Sequence, residues 1–165
     1  MNKTLHTSLV RQSLTRLWLI LLLGIGTLLL GFGTVLRAEP QVFYAAGGKA
    51  VGGLDVVSFF TDGSPEPGRP EHGVVWKDVL WQFVSRENRE AFESNPRAYA
   101  PQFGGYCAYG VSMGVVLDTD PQLWKIHEGK LYLLHSEDVW PMWMEDISGH
   151  VSKADANWPA VLLAQ

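Results

Sequence analysis

Gly73 to Ser94 reads GVVWKDVLWQFVSRENREAFES, and this stretch decides the fold. Two runs rich in β-branched and aromatic residues, Gly73–Trp76 and Val79–Val84, meet at Lys77-Asp78. That spacing predicts an antiparallel hairpin. Ser85 places a side-chain oxygen where a helix can begin, and the sequence predicts that helix from Arg86 to about Ser94. Ala91 and Phe92 are its inward residues, and Pro96 lies just beyond its end.

Toward the C-terminus, Leu123–His127 and Lys130–His135 flank Glu128-Gly129, which predicts a second hairpin. Ser136, followed by Glu137 and Asp138, has the acidic first turn of a helix start, and Val139–Ile147 continues that helix. Pro141 is compatible with it only within the first turn. The tail from Ser148 to Gln165 carries no assigned element.

Toward the N-terminus, Asp62–Pro70 reads as a proline-rich loop. Asp55 is expected to cap a short apolar helix ending near Phe60, although a strand fits so short a run. No internal repeat is evident from the residues. The fold class that results is α+β: one small domain of two antiparallel hairpins packed with several short helices, preceded by one transmembrane helix.

That helix is expected over residues 17–36. The first 36 residues hold no acid and only Lys3, Arg11 and Arg16 as bases. Leu17–Leu36 is uncharged, and as a helix it would span about 30 Å, the thickness of a bilayer core. The preceding cations predict a cytoplasmic N-terminus. A cleaved signal peptide is the competing reading, but the run is long for one and Leu36 would stand at the −3 position. The organisation expected is therefore 1–16 cytoplasmic, 17–36 anchor, 37–49 linker and 50–165 folded domain.

After residue 36 lie ten basic and 17 acidic residues, so the body carries about −7. That charge argues against a nucleic-acid partner. Cys107 is the one cysteine of the chain, so no internal disulfide forms and stability must come from packing.

Several blocks together resemble the YHS-domain family, in an exported branch. They are Val51-Gly52-Gly53-Leu54-Asp55-Val56-Val57-Ser58-Phe59-Phe60, the run Trp81–Phe92, Asn95-Pro96-Arg97-Ala98-Tyr99, and Gly104-Gly105-Tyr106-Cys107-Ala108-Tyr109. Trp124-Lys125-Ile126, Gly129-Lys130-Leu131-Tyr132-Leu133 and Lys153–Pro159 extend the likeness, which covers about 50–159. The resemblance implies an association with copper and heavy-metal transport and metal binding through two cysteines at a helix start. Those two positions fall on Val84 and Asn88, neither of which is a ligand for a soft metal.

Among the residues themselves, Cys107 is the principal candidate. A helix opening near Tyr106 would place its thiol at a helix N-terminus, where the macrodipole favours thiolate. With an imidazole from His127 or His135 and the thioether of Met113, such a thiolate would suit a copper ion, Cu(I). Tyr106, Tyr109 and Asp55 complete the candidate ligand set. The competing reading makes Cys107 a buried small apolar residue, makes Asp55 a helix cap, and leaves the two histidines about 20 Å apart at opposite ends of their hairpin. A Gly-x-Ser-x-Gly elbow, His-Glu-x-x-His, Cys-x-x-Cys and a phosphate-cradling glycine loop are all read as absent.

The expected function is a periplasmic module on a bacterial inner membrane, single-pass and non-catalytic, binding a soft metal or small ligand near Cys107. Its expected partners are the bilayer and a membrane protein complex or metal transporter. Alternatives are an assembly subunit docking through the Trp140–Met144 cluster, and a thiol-dependent enzyme.

Overall fold

The computed structural model describes residues 42–164. Short strands β1 (Ala45–Ala46), β2 (Lys49–Ala50) and β3 (Leu54–Asp55) precede helix α1 (Ser58–Thr61) and strand β4 (Glu66–Pro67). A hairpin of β5 (Arg69–Trp76) and β6 (Val79–Phe83) leads into α2 (Arg86–Ser94) and α3 (Pro96–Tyr99). Helix α4 (Ala108–Ser112), a second hairpin of β7 (Asp120–His127) and β8 (Lys130–Leu134), then α5 (Trp140–Glu145) and α6 (Ile147–Asn157) follow. The fold is α+β, with small sheets and several short helices.

Both hairpins form for the same local reason. Lys77 and Asp78 take left-handed φ of 53° and 63°, and Glu128 and Gly129 take 50° and 71°. A two-residue turn with both φ positive matches the twist of the strands it joins. The first hairpin belongs to a four-stranded sheet ordered β1-β2-β6-β5, in which β2 runs parallel to β6. Ser85 caps α2 as expected, its hydroxyl accepting from the Asn88 amide at 3.1 Å. Phe92 then lands fully buried against Trp76, Trp81 and Phe83, with ring centroids 5.0–5.6 Å apart.

Several expectations are corrected. Residues 42–49 of the expected linker are folded: β1 and β2 join the sheet, and Phe43 is buried against Trp76 and Trp81. The expected 62–70 loop holds β4 and the start of β5. Asp55 ends a strand, and the helix after it begins only at Ser58. The helix expected through Ile147 breaks at Asp146, whose extended backbone (φ −150°, ψ 72°) ends α5. The Asp146 carboxylate then caps α6 by accepting from Gly149 N at 2.9 Å, which gives the tail an eleven-residue helix. The expected segment 1–16 and anchor 17–36 lie outside the described residues. Among the described residues no helix is long and apolar enough to cross a membrane.

The largest correction concerns repetition, because the domain is built from two equivalent halves. The first hairpin pairs Arg69↔Phe83, Val74↔Trp81, Val75↔Leu80 and Trp76↔Val79. Shifting every number by 51 gives Asp120↔Leu134, Lys125↔Tyr132, Ile126↔Leu131 and His127↔Lys130, all of which are pairs of the second hairpin. Each hairpin carries its irregularity at the same place, just after its first strand begins. The backbone repeats too: Ser85 (φ −141°, ψ 166°) matches Ser136 (−152°, 165°), and Asn95 (−151°, 74°) matches Asp146 (−150°, 72°).

Upstream the shift is 52, the loop before the second hairpin being one residue shorter. Val51, Gly52 and Gly53 have φ of 50°, 64° and 87°; Phe103, Gly104 and Gly105 have 52°, 63° and 78°. Leu54 and Tyr106 then leave in the same extended conformation. Two buried clusters form, the first of which also takes in Leu131 and Leu133 of the second half. Trp81, Phe83 and Phe92 in the first correspond to Tyr132, Leu134 and Trp143 in the second.

Candidate functional site

The equivalence sets Asp55 and Cys107 at the same place in the two halves, and both side chains are 0% exposed. Asp55 is held by three N–H donors. Its Oδ1 accepts from Val57 N at 2.8 Å, and its Oδ2 from Val84 N at 2.9 Å and Asn88 Nδ2 at 2.7 Å. The expected local cap is thus extended by bonds reaching 29 and 33 residues along the chain, which tie β3 to the β6–α2 junction. Val84 and Asn88 are the two positions where the resembled family would place cysteines. In this chain the backbone of one and the amide of the other point at a single carboxylate.

Cys107 stands where sequence places it, immediately before α4, and its Sγ accepts from Gly110 N at 3.4 Å. The expected thiolate does not follow. Burial pushes the thiol above its ordinary value, outweighing backbone N–H groups of Gly110, His135 and Tyr109 that act in the opposite sense. Five residues of helix supply too small a dipole to reverse that.

The remaining candidates do not converge on the thiol. Met113 is 59% exposed at the end of α4. His127 lies 3.4 Å from Ser148 Oγ, whereas His135 Nδ1 is 2.7 Å from Asp118 Oδ1. Tyr106 packs on Tyr44 and Trp158, and burial raises its phenol pKa. Tyr109 donates to Met142 Sδ at 3.5 Å. Among the described residues no group of three or more His, Cys, Asp or Glu could hold a metal ion.

Sequence reasoning missed two features. His150, in the tail that carried no assigned element, lies on α6 with Nδ1 3.2 Å from Ser112 Oγ and Nε2 3.1 Å from the Met142 carbonyl. Its ring packs against Tyr109 and Trp143. The signal that could have found it is Asp146, a capping residue one turn earlier.

The second feature is Gly110-Val111-Ser112-Met113-Gly114, which has the Gly-x-Ser-x-Gly spacing of a nucleophile elbow. The required context is missing: Ser112 ends a helix instead of turning from strand to helix, and it is 6% exposed. Its hydroxyl donates to Tyr109 O at 2.7 Å, and the Met113 amide that an oxyanion would need already bonds Tyr109 O and Gly110 O. The Ser112–His150 pair therefore fastens α4 to α6.

A concave site opens elsewhere, a cleft of about 710 Å³. It is lined by both hairpin turns, Trp76-Lys77 and Glu128-Gly129-Lys130, by Arg97 of α3, and by Phe43, Phe103 and Trp158. Gly104 shapes one side of it: any Cβ there would run into the Val42 carbonyl, and its own carbonyl accepts from Tyr44 N at 2.8 Å. Only glycine combines that close approach with φ of 63°. Comparison of the chain with protein-family models, with curated proteins and with solved structures returns no match.

Proposed function

We propose that this protein is a membrane-anchored YHS-like module of the bacterial inner membrane, its domain on the periplasmic side, that binds a small ligand without catalysis. The observation that carries the reading is the cleft, whose volume of about 710 Å³ falls within the range that encloses small ligands. Its wall at Phe103-Gly104 belongs to the turn leading to Cys107, so the ligand sits beside the block that resembles the family, with the thiol behind it in the core. The uncharged run 17–36 after Lys3, Arg11 and Arg16 supports the anchor and its orientation. The nearness of Val84 and Asn88 around Asp55 is consistent with the family reading, since both positions meet at a helix start.

Ligand-observed magnetic resonance of a fragment set tests the proposal, with the full chain in nanodiscs beside Trp158→Ala. Fragments whose signal is lost in the variant support a ligand in the cleft. Fragments indifferent to it place any ligand elsewhere and overturn the proposal.

A second reading rests on the exposed methionines of α5. Met142 and Met144 are each 39% exposed there, on either side of fully buried Trp143. Such adaptable side chains suit docking on a membrane protein complex. Mild detergent extraction followed by sizing tests it, and a monomer without a partner counts against it.

A further inference from the structure

We infer that the ligand of this cleft is a small anion, a carboxylate or phosphate, carried on a flat apolar body. This rests on the proposal that the cleft binds a ligand, and adds the chemical class.

The first observation is where the charge lies. The body after residue 36 is acidic, with 17 acids to ten bases. The cleft inverts that balance, because Lys77, Arg97 and Lys130 line it against the single carboxylate of Glu128. Among the described residues none of these three cations is ion-paired; the salt bridges involve Arg86, Arg89, His127 and His135. Clustered like charges without counterions raise the local anion concentration and lower the free energy of a bound anion. Arg97 adds a planar fork that matches two oxygens of one carboxylate or phosphate.

The second observation is independent of charge. Two aromatic pairs line the same space, Phe43 with Trp76 at 5.1 Å and Phe103 with Trp158 at 6.1 Å. The phenylalanines are almost wholly buried, whereas Trp76 and Trp158 are only partly buried. Indole faces beside cations suit a flat ligand bearing negative charge, since stacking and ion pairing act on different parts of it. Inorganic phosphate alone would make no use of those rings.

The test uses the full chain in nanodiscs, with empty nanodiscs as the partition blank and equilibrium dialysis as the readout. The probes are 2-naphthyl phosphate, uncharged 2-naphthol and inorganic phosphate. We expect naphthyl phosphate to bind at least tenfold tighter than either of the others. In the triple variant Lys77→Glu, Arg97→Glu, Lys130→Glu its affinity should fall at least tenfold. All three residues are exposed, so the fold should survive, which an unchanged melting transition checks. Naphthol binding as tightly as the phosphate ester, with the triple variant indifferent, overturns the anion assignment while leaving a ligand cleft in place. Inorganic phosphate binding as tightly as the ester overturns the flat apolar body. Binding of no probe, or binding unchanged by Trp158→Ala, removes the cleft as a site and the functional proposal with it.

Discussion

The two halves share a backbone and differ in how their buried polar groups are satisfied. In the first, Asp55 takes three N–H bonds, one from Asn88 on the capped helix α2. In the second, Cys107 stands at the same place, His135 replaces Val84, and apolar Val139 replaces Asn88. Ser85 caps its helix through its side chain; Ser136 makes no such bond. The indole N–H of Trp81 donates to Trp76 O at 3.0 Å, whereas Trp143 Nε1 is buried with no partner among the described residues. One backbone thus tolerates either a polar knot or apolar packing at its centre, provided the aromatic residue facing the hairpin is kept.

The largest expected effect tests whether the halves are energetically alike. Phe92→Ala and Trp143→Ala each remove a fully buried ring, and each should cost about 3–5 kcal/mol in chemical denaturation. A cost below about 1 kcal/mol for Trp143→Ala would reduce the equivalence to backbone geometry alone.

The next effect separates the halves. Asp55→Ala strands three donors in the interior and should cost about 3 kcal/mol, whereas Cys107→Ala leaves a small void worth about 1–2 kcal/mol. Equal costs would break the contrast between knot and packing.

A sharper probe converts one half toward the other. Cys107→Asp buries a carboxylate that the backbone N–H groups of Gly110, His135 and Tyr109 can meet but no side-chain amide can, and it should destabilise by about 2–4 kcal/mol. Adding Val139→Asn should recover about 1 kcal/mol, measured as a double-mutant cycle. Simple additivity would mean that residue 139 does not reach the place Asn88 reaches.

The smallest effect is a pH dependence. Burial raises the folded thiol above its unfolded value, so between the two the folded state keeps a proton that the unfolded state has released. Stability therefore falls as pH rises from about 8.5, by at most about 1.4 kcal/mol per pH unit. Below about pH 10, where Tyr106 and Tyr132 remain protonated, Cys107→Ala should abolish that slope. An identical slope in the variant would assign it to another group.

Local signals carried most of the element assignments. Lys77-Asp78, Glu128-Gly129 and the Ser85 cap act within a few residues of themselves, so the two hairpins and α2 were legible directly. Elements defined by distant partners were not: β1, β2 and β4 are two residues each and exist only through pairing. The duplication escaped for a different reason. Over 69–95 and 120–146 only Pro70/Pro121, Leu80/Leu131 and Ser85/Ser136 are identical, because a backbone constrains size and turn geometry far more tightly than identity. Of the candidate site, sequence marked the Asp55 and Cys107 positions but none of the cleft. Lys77, Arg97, Lys130 and Trp158 come from four separate segments and meet only in the folded chain.

The sequence by itself determined the uncharged run 17–36, the acidic balance of the body, the lone cysteine, and both hairpin turns with the helix that Ser85 caps. Each follows from composition or from residues within one turn of one another. Only the tertiary structure decided that Cys107 is a core residue whose burial pushes its thiol upward, that Asp55 is a three-bond knot, that the halves are equivalent, and that three cations without an ion pair among the described residues share a cleft with two indoles. Burial and long-range pairing set all four, and neither is local in the chain.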